Sequence, residues 1–358
     1  MVTFDSWNDV FTLDRPGFGE AFFKARQIDA IHVSSKGNDW YQYPEMLAAM
    51  ACVRAASRSY ARVITYGSSM GAYAAIRLAG LAGAHCALAM SPQFSIDPKV
   101  TPFEVRWRAA IDRFQPVWEN SIPFPVLDEA YVVFDPFDMD KHHIELLQAA
   151  FTFTPVPLPN AGHTVMGFLL DVELLQPLVM GVCQGAFDAQ SLVQEAKRRR
   201  RQSPQYFSAL AERTPLSNSV RRIALLRQAI EIAPNHAGCT RRLAVEFCRA
   251  GRFDEAIAAH KATLVIEPGQ PDLMWHYSRT LEEKGDLQGA VALMEEIDVI
   301  TKGSVVYRPR LTELRARLNA SLPAAETLVP IVREEPEKWR KKVWRFLDLR
   351  RIGRRPPA

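Results

Sequence analysis

Cysteine is scarce in this chain of 358 residues: Cys52, Cys86, Cys183, Cys239 and Cys248 are all there are. The number is odd, no two form a Cys-x-x-Cys pair, and the spacing is wide. A disulfide framework and the common zinc-site spacings are thereby excluded. Reduced thiols in a cytoplasmic protein are expected. An excess of one charge is also missing. There are 44 Lys and Arg against 40 Asp and Glu, a net charge of +4, too weak to argue for nucleic-acid binding by the whole chain. Long clean apolar runs are absent. Residues 70–90 are interrupted by Arg77, His85 and several glycines, and residues 165–183 by Asp171, Glu173 and Pro177. A charge at the bilayer centre costs about 3 kcal/mol, so both segments read as globular core. The first residues, MVTFDSWNDVFTLDRPG, carry acids where a secretion signal needs a basic start and an apolar centre.

What is present is ordinary globular composition, 48% apolar and 23% charged, in a length suited to two domains. In the first half β-rich runs alternate with helical patterns. Strands are expected at 29–34, 61–67, 85–91, 130–135 and, weakened by prolines, 152–158. Helices are expected at 43–59, 70–82 and 165–183. This alternation predicts an α/β domain with a mostly parallel sheet covered on both faces, over residues 1–183. Between 92 and 127 the pattern breaks, and a helix at 103–114 among prolines reads as a short cap over the sheet edge. Residues 184–204, with the basic run 197–201, read as a linker or exposed helix end.

Strands then vanish. Residues 219–299 repeat with a period of 34: Pro234 returns as Pro268, Gly251 as Gly285 and Ala256 as Ala290. This is the period of a helix-turn-helix repeat, and residues 205–320 resemble the tetratricopeptide family. The unit before Pro234 keeps only its second helix clearly. Residues 321–358 differ again: nine Lys and Arg lie between 338 and 355 against one acid, Asp348, with Trp339, Val343, Phe346 and Leu347 at helical spacing. They read as a basic amphipathic helix and tail suited to an anionic membrane surface or an acidic partner, the alternative being a solvated tail whose aromatic face packs on the last repeat; the protein is expected in the cytoplasm or at the inner membrane face. No nucleic-acid recognition motif accompanies the charge.

Chemistry concentrates at Gly67-Ser68-Ser69-Met70-Gly71. This Gly-x-Ser-x-Gly lies between a strand and a helix, the context of a sharp turn that lifts a serine hydroxyl clear of a sheet. Asn160-Ala-Gly-His163 follows the last strand, and His163 fits the base that takes the Ser69 proton. The segment Asp135-Pro-Phe-Asp138-Met-Asp140 ends a strand and supplies three candidates for the carboxylate that orients the histidine. Asp138 is favoured, Asp135 is next and Asp140 third; each could instead cap the helix beginning near Lys141. Asp138 and His142 form an i, i+4 pair, but no third ligand completes a metal site, and no metal or cofactor is expected.

The order serine, acid, histidine resembles the α/β-hydrolase superfamily over residues 1–183. The resemblance implies Ser69 as nucleophile, His163 as base and the Met70 backbone N–H in the oxyanion hole. It implies a second N–H from the loop at 34–41, with Ser35 or Lys36 the expected donor and Asn38, Trp40 and Ser68 shaping the substrate pocket. That loop lacks the family's common His-Gly-Gly type sequence. Few strands precede the elbow and the cap is short, leaving the site open to large substrates. The expected function is a serine esterase or thioesterase whose repeats recruit a protein partner. The alternative is a non-catalytic hydrolase-fold scaffold that binds protein through its repeats.

Overall fold

The computed structural model describes residues 1–8 and 12–321. The basic segment expected at 321–358 falls outside them but for its first residue. Six strands form one sheet: β1 (Val2–Phe4), β2 (Ile31–Val33), β3 (Ile64–Ser68), β4 (Cys86–Met90), β5 (Glu129–Phe134) and β6 (Thr154–Pro157). Their order is β2-β1-β3-β4-β5-β6 and every pairing is parallel. β1 was not among the expected strands. Its β-branched and aromatic Val-Thr-Phe is too short to show a period, and its pairing on both sides completes it.

The connecting helices are α1 (Glu20–Ala25), α2 (Met46–Ser57), α3 (Met70–Arg77), α4 (Ala79–Ala82), α5 (Arg108–Ile111), α6 (Asp140–Ala150), α7 (Val165–Asp171), α8 (Leu175–Gln184) and α9 (Ala189–Arg199). The central strands are buried on both faces, as parallel strands must be. Cys86, Leu88 and Met90 of β4 face α7 and α8, while Ala87 and Ala89 face the opposite layer with Ile144 and Leu147 of α6. Three helices differ from expectation. The run at 70–82 is split at Leu78, and the cap helix shrinks to α5. The run at 165–183 is two helices bent by 105°. There Glu173 takes φ +58° and the Leu174 amide bonds back to Leu169, ending α7. Among the described residues no single helix is long and apolar enough to cross a membrane.

The expected linker is also structured. Asp188 caps α9 through the amides of Gln190 and Ser191, and Leu192 and Ala196 are buried in the sheet's core. The basic run closes this helix, where cations suit the carbonyl end.

Helices continue as α10 (Pro204–Arg213), α11 (Ser219–Ile232), α12 (Ala237–Arg249), α13 (Phe253–Ile266), α14 (Pro271–Lys284), α15 (Leu287–Ile300) and α16 (Arg308–Ser321). α12 and α14 start 34 residues apart, as do α11 and α13, and α13 and α15. α10 supplies the first helix of the unit before Pro234, which the sequence pattern left unclear. The described residues form two compact units, one ending at Thr280 and one beginning at Leu281. In the second, Ala290, Met294 and Ile297 of α15 and Leu311 and Leu314 of α16 are buried.

Candidate active site

The turn after β3 explains its glycines. A Cβ on Gly67 would collide with the Gly71 backbone, and one on Gly71 would meet the carbonyl oxygens of Phe4 and Asp5. Only glycine lets the chain double back beside β1. Ser69 sits at the apex with φ 53° and ψ −119°, a conformation costly for any residue with a Cβ. Trp40, Tyr41, Ser91 and Asn160 also take positive φ and lie in loops that follow strands, where a doubly wound sheet binds its ligands; Gln27, Glu173 and Lys302 take positive φ elsewhere. Met70 is the first residue of α3, so its amide has no helical acceptor.

His163 Nε2 lies 3.0 Å from Ser69 Oγ, and Nδ1 lies 2.7 Å from Asp140 Oδ2. The carboxylate on the histidine is therefore Asp140, not the favoured Asp138. Asp138 instead accepts from the Asp140 amide and from Arg106, both at 3.2 Å. Asp135 bonds the amides of Phe137 at 3.0 Å and Gly162 at 2.8 Å, so it holds the acid loop and the histidine loop together. The two-residue difference has a local cause. The chain turns after Asp135, and the first residue of α6 is the one whose side chain returns to the sheet edge.

Arg106, from the cap, has no sequence signal and is central. It pairs with Asp140 at 2.7 Å, Asp138 at 3.2 Å and Glu104 at 2.6 Å. Its Nη1 is also 3.2 Å from His163 Nδ1. A nitrogen that donates to Asp140 cannot also accept, so this last contact is a neighbouring charge. Burial pushes the Asp140 carboxyl up, but His163 and Arg106 outweigh it and hold it below its ordinary value. Burial and the Asp140 charge push Asp138 up. The ligand atoms of Asp138, Asp140 and His163 lie within 4.8 Å of one another, and Arg106 supplies the cation that both carboxylates meet.

Glu104 is fully buried between Arg106 and His143, the latter at 3.0 Å. Burial alone would raise its pKa; the hydrogen bonds from His143 and Arg106 bring it from 4.5 down to about 2. A carboxyl depressed by folding stabilises above its unfolded pKa and loses that contribution as pH falls toward its folded one. Wild type should therefore be more stable than Glu104→Gln at about pH 6, with the gap narrowing from about pH 4.5 toward about 2.5. Urea unfolding across that range reads it, and a pH-independent gap would refute the assignment.

The other pocket expectations divide. Ser35 and Lys36 follow β2, which β1 separates from β3, a distance of about two strand spacings, roughly 10 Å. Ser35 is buried with its carbonyl bonded to Arg15, and Lys36 is exposed. The loop next to the elbow is that after β1, residues 5–8. Asn38 pins that loop, donating to the Asn8 carbonyl at 2.7 Å and accepting from its amide at 3.1 Å. Ser68 is the buried last residue of β3. Trp40 is fully buried and donates to Gln93 at 3.1 Å; Gln93 in turn approaches Ser69 Oγ at 3.4 Å. Trp107 lies 5.5 Å from Trp40 and 5.3 Å from the His163 ring, and Trp7 lies 6.0 Å from Trp40. An indole wall thus borders the serine and histidine.

The histidine loop is also braced from α10. Gln205 donates to Thr164 Oγ1 at 2.8 Å and lies against Gly162, which takes φ +70°. Arg213 bonds the Asn160 side chain and stacks 4.0 Å over Phe137 of the acid loop.

A family model described as the alpha/beta hydrolase family matches residues 5–206. No curated protein matches the chain. Solved structures similar to it include the Sgt2 TPR domain from Aspergillus fumigatus, at 16% identity over 38% of this chain and 93% of that one, with a TM-score of 0.31. A thermophilic TPR protein of Thermus thermophilus is 18% identical over 39% and 98%, TM-score 0.28. MamA from Desulfovibrio magneticus is 16% identical over 51% and 97%, TM-score 0.31. With its parallel sheet, its serine at the strand-to-helix turn and its family match over more than half its length, this chain belongs to the alpha/beta hydrolase family and carries, later in its sequence, tetratricopeptide-like helical repeats.

Proposed function

We propose that the chain is a serine hydrolase of acyl esters or thioesters, and that its repeats recruit a protein partner. The observation that carries the reading is the continuous relay Ser69 Oγ, His163 Nε2, His163 Nδ1, Asp140 Oδ2, with links of 3.0 and 2.7 Å. His163 takes the Ser69 proton as Oγ attacks the acyl carbon. Asp140 keeps the Nδ1 proton in place and stabilises the imidazolium. The oxyanion is met by the Met70 amide and by an amide of the loop after β1, Ser6 or Trp7. His163 then protonates the departing alcohol or thiol. A water, deprotonated by His163, attacks the acyl-enzyme, the acid leaves and Ser69 regains its proton. The indole wall suits an apolar acyl group.

Fluorophosphonate labelling tests the reading without knowledge of the substrate. Wild type should label stoichiometrically at Ser69, and Ser69→Ala should not label. Absence of labelling in folded wild type would overturn the hydrolase reading in favour of a scaffold.

A further inference from the structure

A cavity of about 250 Å³ opens among the first helices of the repeat array. Its floor is α10, through Ser208, Ala211 and Glu212, and its wall is α12 with Arg241, Arg242, Glu246 and Arg249. Arg222 of α11 and His276 of α14 complete it.

The charges do not balance. Glu246 is shared between Arg222 and Arg249, both at 2.6 Å, and Glu212 accepts from Arg242 at 2.7 Å. In all, the lining holds four guanidinium groups against two carboxylates. Arg241 is the weakly compensated one: its nearest carboxylate, Asp272, is 4.0 Å away on an exposed side chain. Its other neighbour is His276 Nε2 at 2.9 Å. Burial pushes His276 down to about 4, so at neutral pH that nitrogen is uncharged and accepts from Arg241. Burial, with Arg242 adding its charge, also pushes Arg241 down. A half-buried cation beside like charges gains most from an incoming anion, and guanidinium forks suit phosphate and carboxylate oxygens.

The floor helix faces the catalytic machinery on its other side. Gln205 and Arg213 of α10 hold Thr164 and Asn160, which flank His163. Arg222, in the cavity, bonds the carbonyls of Ala211, Glu212 and Thr214 at the end of α10.

We infer that this cavity binds a compact multivalent anion, a phosphate- or carboxylate-bearing small molecule, and that its occupancy acts on the His163 loop through α10. The anion neutralises the excess charge of Arg241 and Arg242 on α12, whose Arg242 is tied to Glu212 of α10, and so steadies the loop that α10 braces. The coupling rests on the hydrolase reading; the binding site does not.

The test uses the full chain and inorganic pyrophosphate, with potassium chloride at equal ionic strength as control. Calorimetry should show saturable binding to wild type, weakened at least tenfold in Arg241→Gln and in Arg242→Gln, with melting temperatures confirming that the variants fold. Saturating pyrophosphate should speed fluorophosphonate labelling of wild type at least threefold and leave Arg241→Gln unchanged. No binding to wild type, or equal binding to both variants, overturns the site. Binding with no change in labelling rate overturns the coupling. A wild type that never labels refutes the hydrolase reading instead, and the calorimetry still decides the site.

Discussion

Asp140→Asn is expected to slow acylation of Ser69 by about 10³- to 10⁴-fold, whereas Asp138→Asn leaves it within about threefold of wild type. The two residues are neighbours and both meet Arg106, so charge alone does not separate them. Geometry does. Asp140 Oδ2 is 2.7 Å from His163 Nδ1 and accepts its proton. An asparagine there can turn its NH₂ toward Nδ1, which then becomes the acceptor. The remaining proton moves to Nε2 and faces Ser69, so the base can no longer take the serine proton. Asp138 makes no such contact; its oxygen serves the Asp140 amide and Arg106. The rate constant of fluorophosphonate labelling, measured on variants with matched circular dichroism, reads both effects. A loss in Asp138→Asn equal to that in Asp140→Asn would show that the acid is not the one this geometry selects.

The largest effect on stability is expected at Arg222. Its Nε and Nη2 grip Glu246 at 2.7 and 2.6 Å, and its Nη1 meets the carbonyls of Ala211, Glu212 and Thr214 at 2.7, 3.1 and 2.6 Å. Both side chains are nearly inaccessible, 6% and 5% exposed. Removing one partner of a buried pair leaves an uncompensated charge, which costs about 3–5 kcal/mol. Arg222→Ala should therefore destabilise by about 3 kcal/mol or more. The double variant Arg222→Met with Glu246→Leu should recover much of that loss, because it removes both charges and keeps the volume. Urea unfolding followed by circular dichroism measures it. A cost of Arg222→Ala below about 1 kcal/mol would mean that water, not Glu246, solvates this arginine. Arg249 also reaches Glu246, but its side chain is half exposed and substitutes poorly for a buried fork.

Much of the protein was legible in the residues. The elbow was readable because its constraint is local: a serine flanked two residues away by Gly67 and Gly71, between a β-run and a helical one. His163 followed from its place after the last strand, and five strands from their apolar runs. The repeats were readable because helix pairs recur at a fixed spacing, which the starts of α12 and α14, and of α13 and α15, reproduce. Local physics stopped at partners distant in sequence. β1 is three residues long, and only its insertion between β2 and β3 shows that residues 5–8, not Ser35 or Lys36, lie beside the elbow. Asp138 and Asp140 are the same residue type two positions apart, and sequence spacing favoured Asp138; the start of α6 decided that Asp140 is the one that turns to His163. Arg106 and Gln93 carry no motif and reach the site because the cap folds over it and β4 lies beside β3. Arg213 meets Asn160 because α10 packs on the sheet's core through Tyr206. Backbone turns and helical periods are set by residues within a few positions of one another. Strand order, and with it the identity of the groups that meet at the sheet's edge, is set by the packing of the whole domain.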